Sequence, residues 1–297
     1  MNKHSLIPTE TINPRTRKLG SSSPQQIARM INTEDFNAAR AVKKASAAIA
    51  KTIKVAAETF LNGGKIIFIG AGTSGRLGVL EAAECVPTFG TKPSQIVGII
   101  AGGKKAMFRS QEGAEDDEKQ GGKDVLKIAT NKDLVIGITA SGITPYVLGA
   151  LKSAKQKACR TVLLACNKKA DISHADIFIG LDTGAEALNG STRMKAGTAT
   201  KMALNAISTG AMARAGKVYE NLMVDVQPTN QKLIRRAVRL IGTIAKTDEK
   251  TSHNLFLQSG KSVKTAIVMH CKKASRPQAQ KQLQKHRGFL AEALHEN

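Results

Sequence analysis

The stretch Lys65–Thr88 reads KIIFIGAGTSGRLGVLEAAECVPT, and its character changes along its length. A short apolar run breaks at Gly70 into a loop of glycine, serine and threonine, and a helical pattern follows the loop. The stretch therefore predicts a strand, a polar turn and the N-terminus of a helix. Backbone N–H groups at such a helix start bind anions, because the helix dipole places partial positive charge there. Thr73 and Ser74 add hydroxyl groups to this predicted anion site.

The loop GAGTSG fits neither of the common nucleotide-binding motifs. Ser74 stands near the place where the dinucleotide fingerprint expects a later glycine, and Arg76 and Leu77 replace the Lys-Ser/Thr pair of the P-loop. The loop therefore favours a sugar phosphate over a nucleotide. An ordinary tight turn between a strand and a helix is the alternative that the spacing leaves open.

Length and composition indicate a globular chain without membrane or secretory segments. Its 297 residues are 41% hydrophobic, and no run of about 18 apolar residues could span a bilayer. The N-terminal segment lacks the apolar centre of a secretory signal, which predicts a cytoplasmic protein with no membrane partner. The four cysteines form neither a CxxC pair nor a zinc spacing, so we expect buried, reduced cysteines and no metal site.

The net charge of +22 raises the possibility of a nucleic-acid partner. The basic residues, however, are scattered over helical patterns rather than gathered in one arm. Aromatic residues make up only 3% of the chain, too few to provide stacking platforms for bases. We therefore interpret the charge as solvated helix faces and expect no specific nucleic-acid partner.

Five apolar runs have the length of strands, and a turn and a helical pattern follow each of them. They are rich in Ile and Val without strict alternation, as expected of parallel strands buried on both faces. The pattern predicts a five-stranded parallel sheet within a three-layer α/β/α sandwich, with ligands at the carboxyl ends of the strands. The runs are Lys65–Gly70, Gln95–Ala101, Asp133–Ala140, Arg160–Cys166 and Asp176–Leu181.

Helical patterns flank the predicted sheet on both sides. Ser23-Pro24-Gln25-Gln26 has the pattern of a capping box, and an alanine-rich helix is expected from about Asp35 to Leu61. From about Lys201 the pattern is helical to the end, and Thr247-Asp248, Gly260 and Arg276-Pro277 divide the tail into three or four short helices. We predict an N-terminal helical arm over residues 1–45, a phosphosugar-binding domain over 46–220 and a small helical bundle over 221–297.

A second polar turn follows the third predicted strand. It reads TASGITPY from Thr139 to Tyr146 and offers Ser141, Gly142 and Thr144 just before a helix. Two hydroxyl-rich turns at the carboxyl ends of strands in one sheet are more specific than either turn alone. Together they predict a site for a phosphosugar or a similar anion.

Longer motifs follow one another along the chain: GAGTSGRLG, EAAECVPTFG, EGAED, ASGITPY, GSTRMKAGTATK and NLMVDVQPTNQKL. In order and spacing they resemble the N-acetylmuramic acid 6-phosphate etherases, members of the sugar isomerase domain group. The resemblance implies a homodimeric cytoplasmic lyase without a cofactor, which cleaves the D-lactyl ether of its phosphosugar to N-acetylglucosamine 6-phosphate and D-lactate. It also implies a tail similar to a ubiquitin-associated-type bundle.

The resemblance places two catalytic carboxyl groups in this chain. Glu84 in EAAEC corresponds to the acid that protonates the leaving group, and Glu115 in EGAED corresponds to the base that removes the C2 proton. We expect Pro87 to end the helix that carries Glu84. From the sequence alone, Glu84 could equally be an exposed helix carboxylate, and Glu115 could be part of a solvated acidic run.

Further ligand positions follow from the resemblance. Thr73, Ser74, Ser141, Gly142 and Thr144 match phosphate and sugar ligands. The segment GAEALNGSTRMK matches the family at positions that could hold the lactyl carboxylate: Glu186, Ser191, Arg193 and Lys195. Arg193 and Lys195 could instead pair with structural acids. One position departs from the family, which usually reads SGRTPY where this chain has Ile143 in place of the arginine.

Three other function classes compete with a lyase. A regulator that binds a phosphosugar without turning it over would have no need for both Glu84 and Glu115. An aldose–ketose phosphosugar isomerase shares proton abstraction at C2 but needs no acid at C3. A nucleic-acid-associated protein would account for the charge, and its binding would weaken steeply with salt.

Overall fold

The structure is a computed structural model that describes residues 7–295, arranged in two compact units. The first unit comprises Met1–Ala82 and Ser94–Ser208, and the second comprises Ala83–Pro93 and Thr209–Asn297. The first six residues of the predicted arm, including part of the segment read for a secretory signal, lie outside the described residues. The last two residues of the predicted bundle also lie outside them. The bounds 1–45, 46–220 and 221–297 stay predictions.

The first unit is built on a five-stranded parallel sheet, as predicted. The strand order is β2-β1-β3-β4-β5, so the chain winds outward in both directions from β1 and β3. Each strand lies within its predicted run. The strands are β1 Ile66–Gly70, β2 Ile96–Ile100, β3 Leu134–Thr139, β4 Arg160–Ala165 and β5 Ile177–Gly180.

Helices that precede, connect or follow these strands begin or end in the first unit. They are α1 Pro24–Lys44, α2 Ser46–Leu61, α3 Gly72–Phe89, α4 Glu118–Leu126, α5 Pro145–Gln156 and α6 Lys195–Arg214. On one face of the sheet, Ile67 and Ile69 share an apolar core with Tyr146 and Leu151 of α5. Burial of such side chains on both partners is the main force that holds a helix to a sheet.

The opposite face of the sheet packs against α3. A Cβ atom on Gly78 would lie 2.9 Å from Phe68 Cβ and 3.2 Å from Ile138 Cδ1, so only glycine lets the helix approach this closely. Phe68 alternates along β1 with the residues that face α5, as the period of a strand requires. Helices therefore cover both faces, and the predicted three-layer α/β/α sandwich is confirmed.

The N-terminal helices differ from the prediction at one position. Ser23 Oγ accepts from Gln26 N, and Gln26 Oε1 accepts from Ser23 N, which confirms the capping box. The expected single helix from Asp35 to Leu61 is wrong, because α1 ends at Lys44 and α2 begins at Ser46. Ala45 leaves the helical conformation with ψ of 4°. Alanine carries no helix-breaking signal, so the sequence did not indicate this break.

Pro87 lies inside α3, which continues to Phe89, so the expected end of the helix at Pro87 is wrong. Proline removes its own N–H, and in the last turn this costs one hydrogen bond. Gly90 N still donates to Val86 O at 3.0 Å, and Gly90 has a φ of +63°. Gly90, in the left-handed conformation common after a helix, is the true stop signal.

The second unit is mainly a bundle of short helices. Its helices α7 to α11 bury Val238, Ile241, Phe256 and Ile267 in a common core. From Lys201 to residue 295 the described chain has six helices, the rest of α6 and the five of the bundle, where three or four were predicted. Gly288, with a φ of +83°, makes one of the breaks that were not predicted. The helices of the bundle are α7 Gln231–Ala245, α8 Glu249–Gln258, α9 Val263–Cys271, α10 Arg276–Lys285 and α11 Leu290–His295.

A short hairpin precedes this bundle. Strands β6 Val218–Tyr219 and β7 Leu222–Met223 pair antiparallel, so the expectation of helix throughout from Lys201 is wrong here. Glu220, at the turn, has a φ of +52°. Strands of two residues are too short to produce an alternating pattern in the sequence.

The next features concern membrane spans, metal-binding groups and the cysteines. Between residues 7 and 295, no helix combines the length and apolarity that a membrane span requires. The same residues contain no group of three or more His, Cys, Asp or Glu side chains arranged to hold a metal ion. Cys85, Cys159 and Cys166 are buried as expected, whereas Cys271 is exposed.

Candidate functional site

The candidate site lies where the direction of winding reverses in the sheet. Strands β1 and β3 are neighbours, and Gly70 pairs with Ile138 near their carboxyl ends. The chain leaves β1 toward β2 and leaves β3 toward β4, so the loops that follow the two strands border one crevice. In open α/β sheets such a crevice is where ligands bind.

Close backbone packing shapes the first loop. A Cβ atom on Gly75 would lie 2.6 Å from Gly70 O, so the turn excludes any larger residue there. Helix α3 already begins at Gly72, which places the half-buried Thr73 and Ser74 in its first turn. Their hydroxyl groups and the N–H groups of that turn are suited to bind an anion.

The second loop carries a cluster of hydroxyl groups. Thr139 Oγ1 lies 2.6 Å from Thr144 Oγ1, and Ser141 Oγ lies 3.4 Å from Thr144 Oγ1. Gly142 has a φ of +78°, and a Cβ atom there would lie 2.4 Å from Ala170 Cβ, so this position requires glycine. Thr144 is the N-cap of α5 but makes no side-chain capping bond, so its hydroxyl belongs to the cluster.

Glu115 reaches the same crevice from the loop before α4. Tyr146 N donates to Glu115 O at 3.0 Å, which ties the acidic loop to the first turn of α5. Tyr146 is held in turn, because its hydroxyl donates to Asp124 Oδ2 at 2.9 Å. Asp117 caps α4, accepting from Gln120 N at 2.8 Å. The acidic run is therefore partly a helix cap, and Glu115 precedes that cap.

A cavity of 760 Å³ joins these elements, and its volume is typical of small-molecule sites. It brings together five of the predicted site residues, which are Thr73, Ser74, Glu115, Ser141 and Thr144. The other residues that line it are Ile7, Thr9, Glu10, Ala71, Gly72, Asp116, Ile138, Thr139, Ala140, Ile143, Pro145, Gly190 and Thr192.

The remaining predicted residues lie elsewhere or contact other protein groups. Glu84 is exposed on α3 and is not among the residues that line the cavity. Gly142, Ser191 and Arg193 do not line it either, and Arg193 is exposed. Their predicted roles stay predictions.

Glu186 and Lys195 are buried in contacts with the protein itself. Glu186 accepts from Lys195 N at 3.0 Å and from Ala196 N at 2.9 Å, so its carboxylate caps the start of α6. Burial raises the pKa of Glu186, against the effect of these N–H donors. Lys195 Nζ lies 2.6 Å from Glu34 Oε2, which is the pairing with a structural acid left open above.

The carboxylate of Glu34 joins two cations. Arg15 and Lys195 both donate to it, and Glu34 is 1% exposed. The hydrogen bond from Arg15 lowers the pKa of Glu34 to about 2 and outweighs the opposing effect of burial, with Lys195 and Asn13 adding to the decrease. This network ties the segment before α1 to the start of α6.

Sequence reasoning missed several residues that line the cavity. Thr139 is buried at the end of β3, and only its contact with the other hydroxyl groups of the cluster identifies it as a residue of the site. Thr9 and Glu10 come from the N-terminal segment, far from the glycine-rich loops in sequence. No local pattern in the sequence indicated that Thr9 and Glu10 lie at the site.

The fold and the cavity are those expected of a protein of the sugar isomerase domain class. In agreement, residues 48–155 match the family described as the glucokinase regulatory protein N-terminal SIS domain. A solved structure of a phosphoheptose isomerase from Neisseria gonorrhoeae aligns with 64% of this chain and with 100% of its own chain at 13% identity. The TM-score of 0.46 is too low to bear on function.

Curated relatives narrow the class to one family. An N-acetylmuramic acid 6-phosphate etherase from Staphylococcus epidermidis is 46% identical over 97% of this chain and 98% of its own. Two further relatives have the same name. The enzyme from Lactobacillus johnsonii is 49% identical over 89% of both chains, and the enzyme from Serratia proteamaculans is 45% identical over 99% of both chains. The chain belongs to the N-acetylmuramic acid 6-phosphate etherase family.

The hydroxyl cluster yields a prediction about phosphate binding. Replacement of Ser141 or Thr144 with alanine should weaken sugar phosphate binding by about 1.5 to 3 kcal/mol, the contribution of a hydrogen bond to a charged group. Calorimetry with a sugar phosphate measures this change. Thr33→Ala is the matched control, since Thr33 Oγ1 donates to Arg29 O on an exposed turn of α1. Unchanged affinity in both cavity variants would place the phosphate elsewhere.

Proposed function

We propose that this chain is a carbon–oxygen lyase that cleaves the D-lactyl ether of N-acetylmuramic acid 6-phosphate. The products are N-acetylglucosamine 6-phosphate and D-lactate, so the enzyme acts in amino sugar catabolism. The observation that carries the proposal is the cavity at the switch point, where Glu115 and a cluster of hydroxyl groups meet, in a chain related over nearly its full length to etherases.

The chemistry needs one base and one acid. In the open-chain sugar, the C1 aldehyde acidifies the C2 proton, and a base removes it. The electron pair left at C2 forms a C2–C3 double bond as the C3–O bond breaks and an acid protonates the departing lactate oxygen. Water then adds at C3 and a proton returns to C2, with the acid now acting as the base toward water. No electron leaves the system, so no redox cofactor is required.

We assign these roles to the carboxyl groups that the family motif marks. Glu115 is the base, which its place on the cavity wall supports. Glu84 is the acid, a role that rests on the resemblance, because its side chain does not line the cavity. Ser141 and Thr144, with Thr73 and Ser74, bind the phosphate.

The setting of the enzyme belongs to the same proposal. We propose a cytoplasmic homodimer that acts on a small-molecule phosphosugar, without a cofactor and without a specific nucleic-acid partner. The alternative is a regulator that binds a phosphosugar without turnover, and such a regulator has no need for the carboxyl pair. The names of the full-length relatives favour the enzyme over that alternative.

The direct test is release of D-lactate. The purified chain is incubated with N-acetylmuramic acid 6-phosphate, and a D-lactate dehydrogenase assay follows the product. We expect one lactate for each molecule of N-acetylglucosamine 6-phosphate formed. Tight binding of the phosphosugar without lactate would instead support the regulator.

A further inference from the structure

The N-terminal segment before α1 forms one wall of the cavity. Ile7, Thr9 and Glu10 all line it, together with the loops that follow β1 and β3. Ile7 and Thr9 are buried, with exposed fractions of 5% and 1%. The segment therefore belongs to the folded site.

Backbone and side-chain bonds fix this wall to the loop before α6. Gly190 N donates to Thr9 O at 3.1 Å, and Asn13 Nδ2 donates to Ala185 O at 3.2 Å. Thr16 Oγ1 donates to Ala187 O at 2.8 Å. The two side-chain bonds join residues 172 and 171 positions apart in the sequence. Side chains on the wall are thus held in place before a ligand arrives.

Thr9 presents a hydroxyl group that the protein leaves unsatisfied. Its Oγ1 is buried and has no hydrogen-bond partner among the described residues. A buried polar atom without a partner destabilises the folded chain, because it has lost its hydrogen bonds to water. A ligand that supplies the missing partner would recover this energy, and Thr9 lines the cavity in which such a ligand would lie.

Glu10 adds a carboxylate to the same wall. A Cβ atom on Gly190 would lie 3.0 Å from Glu10 Oε2, so the carboxylate packs over Gly190, another residue of the cavity lining. Glycine at 190, with a φ of +72°, leaves the space that this arrangement needs. Within the described part of the chain, no cation forms an ion pair with Glu10.

The charges of the lining divide the cavity into two parts. Its described lining contains the carboxylates of Glu10, Glu115 and Asp116 and no lysine or arginine. A phosphate is repelled by carboxylates, so it belongs at the hydroxyl cluster of Ser141 and Thr144. The wall formed by Thr9 and Glu10 is therefore suited to uncharged groups of the ligand that donate hydrogen bonds.

We propose that Thr9 and Glu10 are substrate-binding residues that set specificity by accepting hydrogen bonds from neutral O–H or N–H groups of the sugar. The proposal rests on the proposed function for the identity of the sugar phosphate. Glu10 favours a sugar with such donors and disfavours ligands that would place a second anion against this wall. Thr9 supplies the buried hydroxyl beside it.

Two variants and two ligands test the proposal by calorimetry. Glu10→Ala should weaken binding of N-acetylglucosamine 6-phosphate about 10- to 100-fold, the effect of a hydrogen bond to a charged group. It should not weaken binding of inorganic phosphate, which has no sugar donors. Glu58→Ala is the control, since Glu58 is an exposed carboxylate of α2 outside the lining.

The variant Thr9→Val distinguishes a role of Thr9 in ligand binding from a role in the stability of the fold. Because Thr9 Oγ1 has no partner among the described residues, the variant should melt at or above the wild-type temperature, yet bind the amino sugar phosphate about 3- to 10-fold more weakly. A lowered melting temperature would overturn the proposed role of Thr9.

The ligand comparison also has outcomes that contradict the proposal. Unchanged affinity of Glu10→Ala for N-acetylglucosamine 6-phosphate, or equal weakening for both ligands, would overturn the role of Glu10. A wild-type chain that releases no lactate but binds the amino sugar phosphate through Glu10 would refute the proposed function and support this inference. The two proposals therefore fail by different results.

Discussion

Replacement of Glu115 with glutamine is expected to lower the rate of D-lactate release by about 100- to 10,000-fold, the usual contribution of a positioned base. Glutamine keeps the size of the side chain but cannot accept the C2 proton. The backbone of Glu115 is fixed by the bond from Tyr146 N, so the variant should keep its fold and its affinity for the phosphosugar. Steady-state kinetics and calorimetry measure the two effects separately.

Exchange of the C2 proton with deuterated water distinguishes the base from the acid. Glu115→Gln should lose both exchange and lactate release, whereas Glu84→Gln should lose lactate release and keep exchange, because the base still works. Glu58→Gln is the control, an exposed carboxylate of α2 that does not line the cavity. Near wild-type lactate release by Glu84→Gln would show that another group protonates the leaving oxygen.

Replacement of Lys195 with methionine is expected to lower the free energy of unfolding by about 3 to 5 kcal/mol. The substitution removes the ammonium group that lies 2.6 Å from Glu34 Oε2 and leaves the carboxylate buried. Arg15 still donates to Glu34, but its side chain is 61% exposed and water screens its charge, so it compensates the buried carboxylate only in part. Urea unfolding followed by circular dichroism measures the change.

Two further measurements make this prediction specific. Lys152→Met, which breaks the exposed pair with Glu118, should change stability by less than about 1 kcal/mol. In the wild type, the low pKa of Glu34 contributes stability that is present above the unfolded value of about 4.3 and is lost as pH falls toward about 2. A Lys195→Met chain as stable as the wild type would contradict the structural role of the pair.

The sheet could be predicted from the sequence because its signals are local. Each strand is a continuous apolar run, and the loops after β1 and β3 contain the glycines and hydroxyl residues that the turns require. Parallel strands bring their carboxyl ends to one edge, so the order of runs and turns is enough to assign the two loops to one site.

The rest of the site depends on contacts between residues distant in sequence. Glu10 and Gly190 meet only in the folded chain, and no local pattern marks either of them as part of the cavity. Lys195 falls in a motif typical of the family, yet its ammonium group pairs with Glu34, which lies 161 positions earlier. Such pairings are decided by tertiary packing, which periodicity and motif spacing do not report.

The attachment of Thr9 to Gly190 has a consequence for how the enzyme matures. Ribosomes make the chain from its N-terminus, so the strands and both glycine-rich loops emerge before residue 190 can anchor the opening segment. Until then the crevice lacks a wall, and a nascent chain has no complete binding site. A sugar phosphate that binds the finished cavity then stabilises the folded chain by mass action, a contribution that the nascent chain lacks.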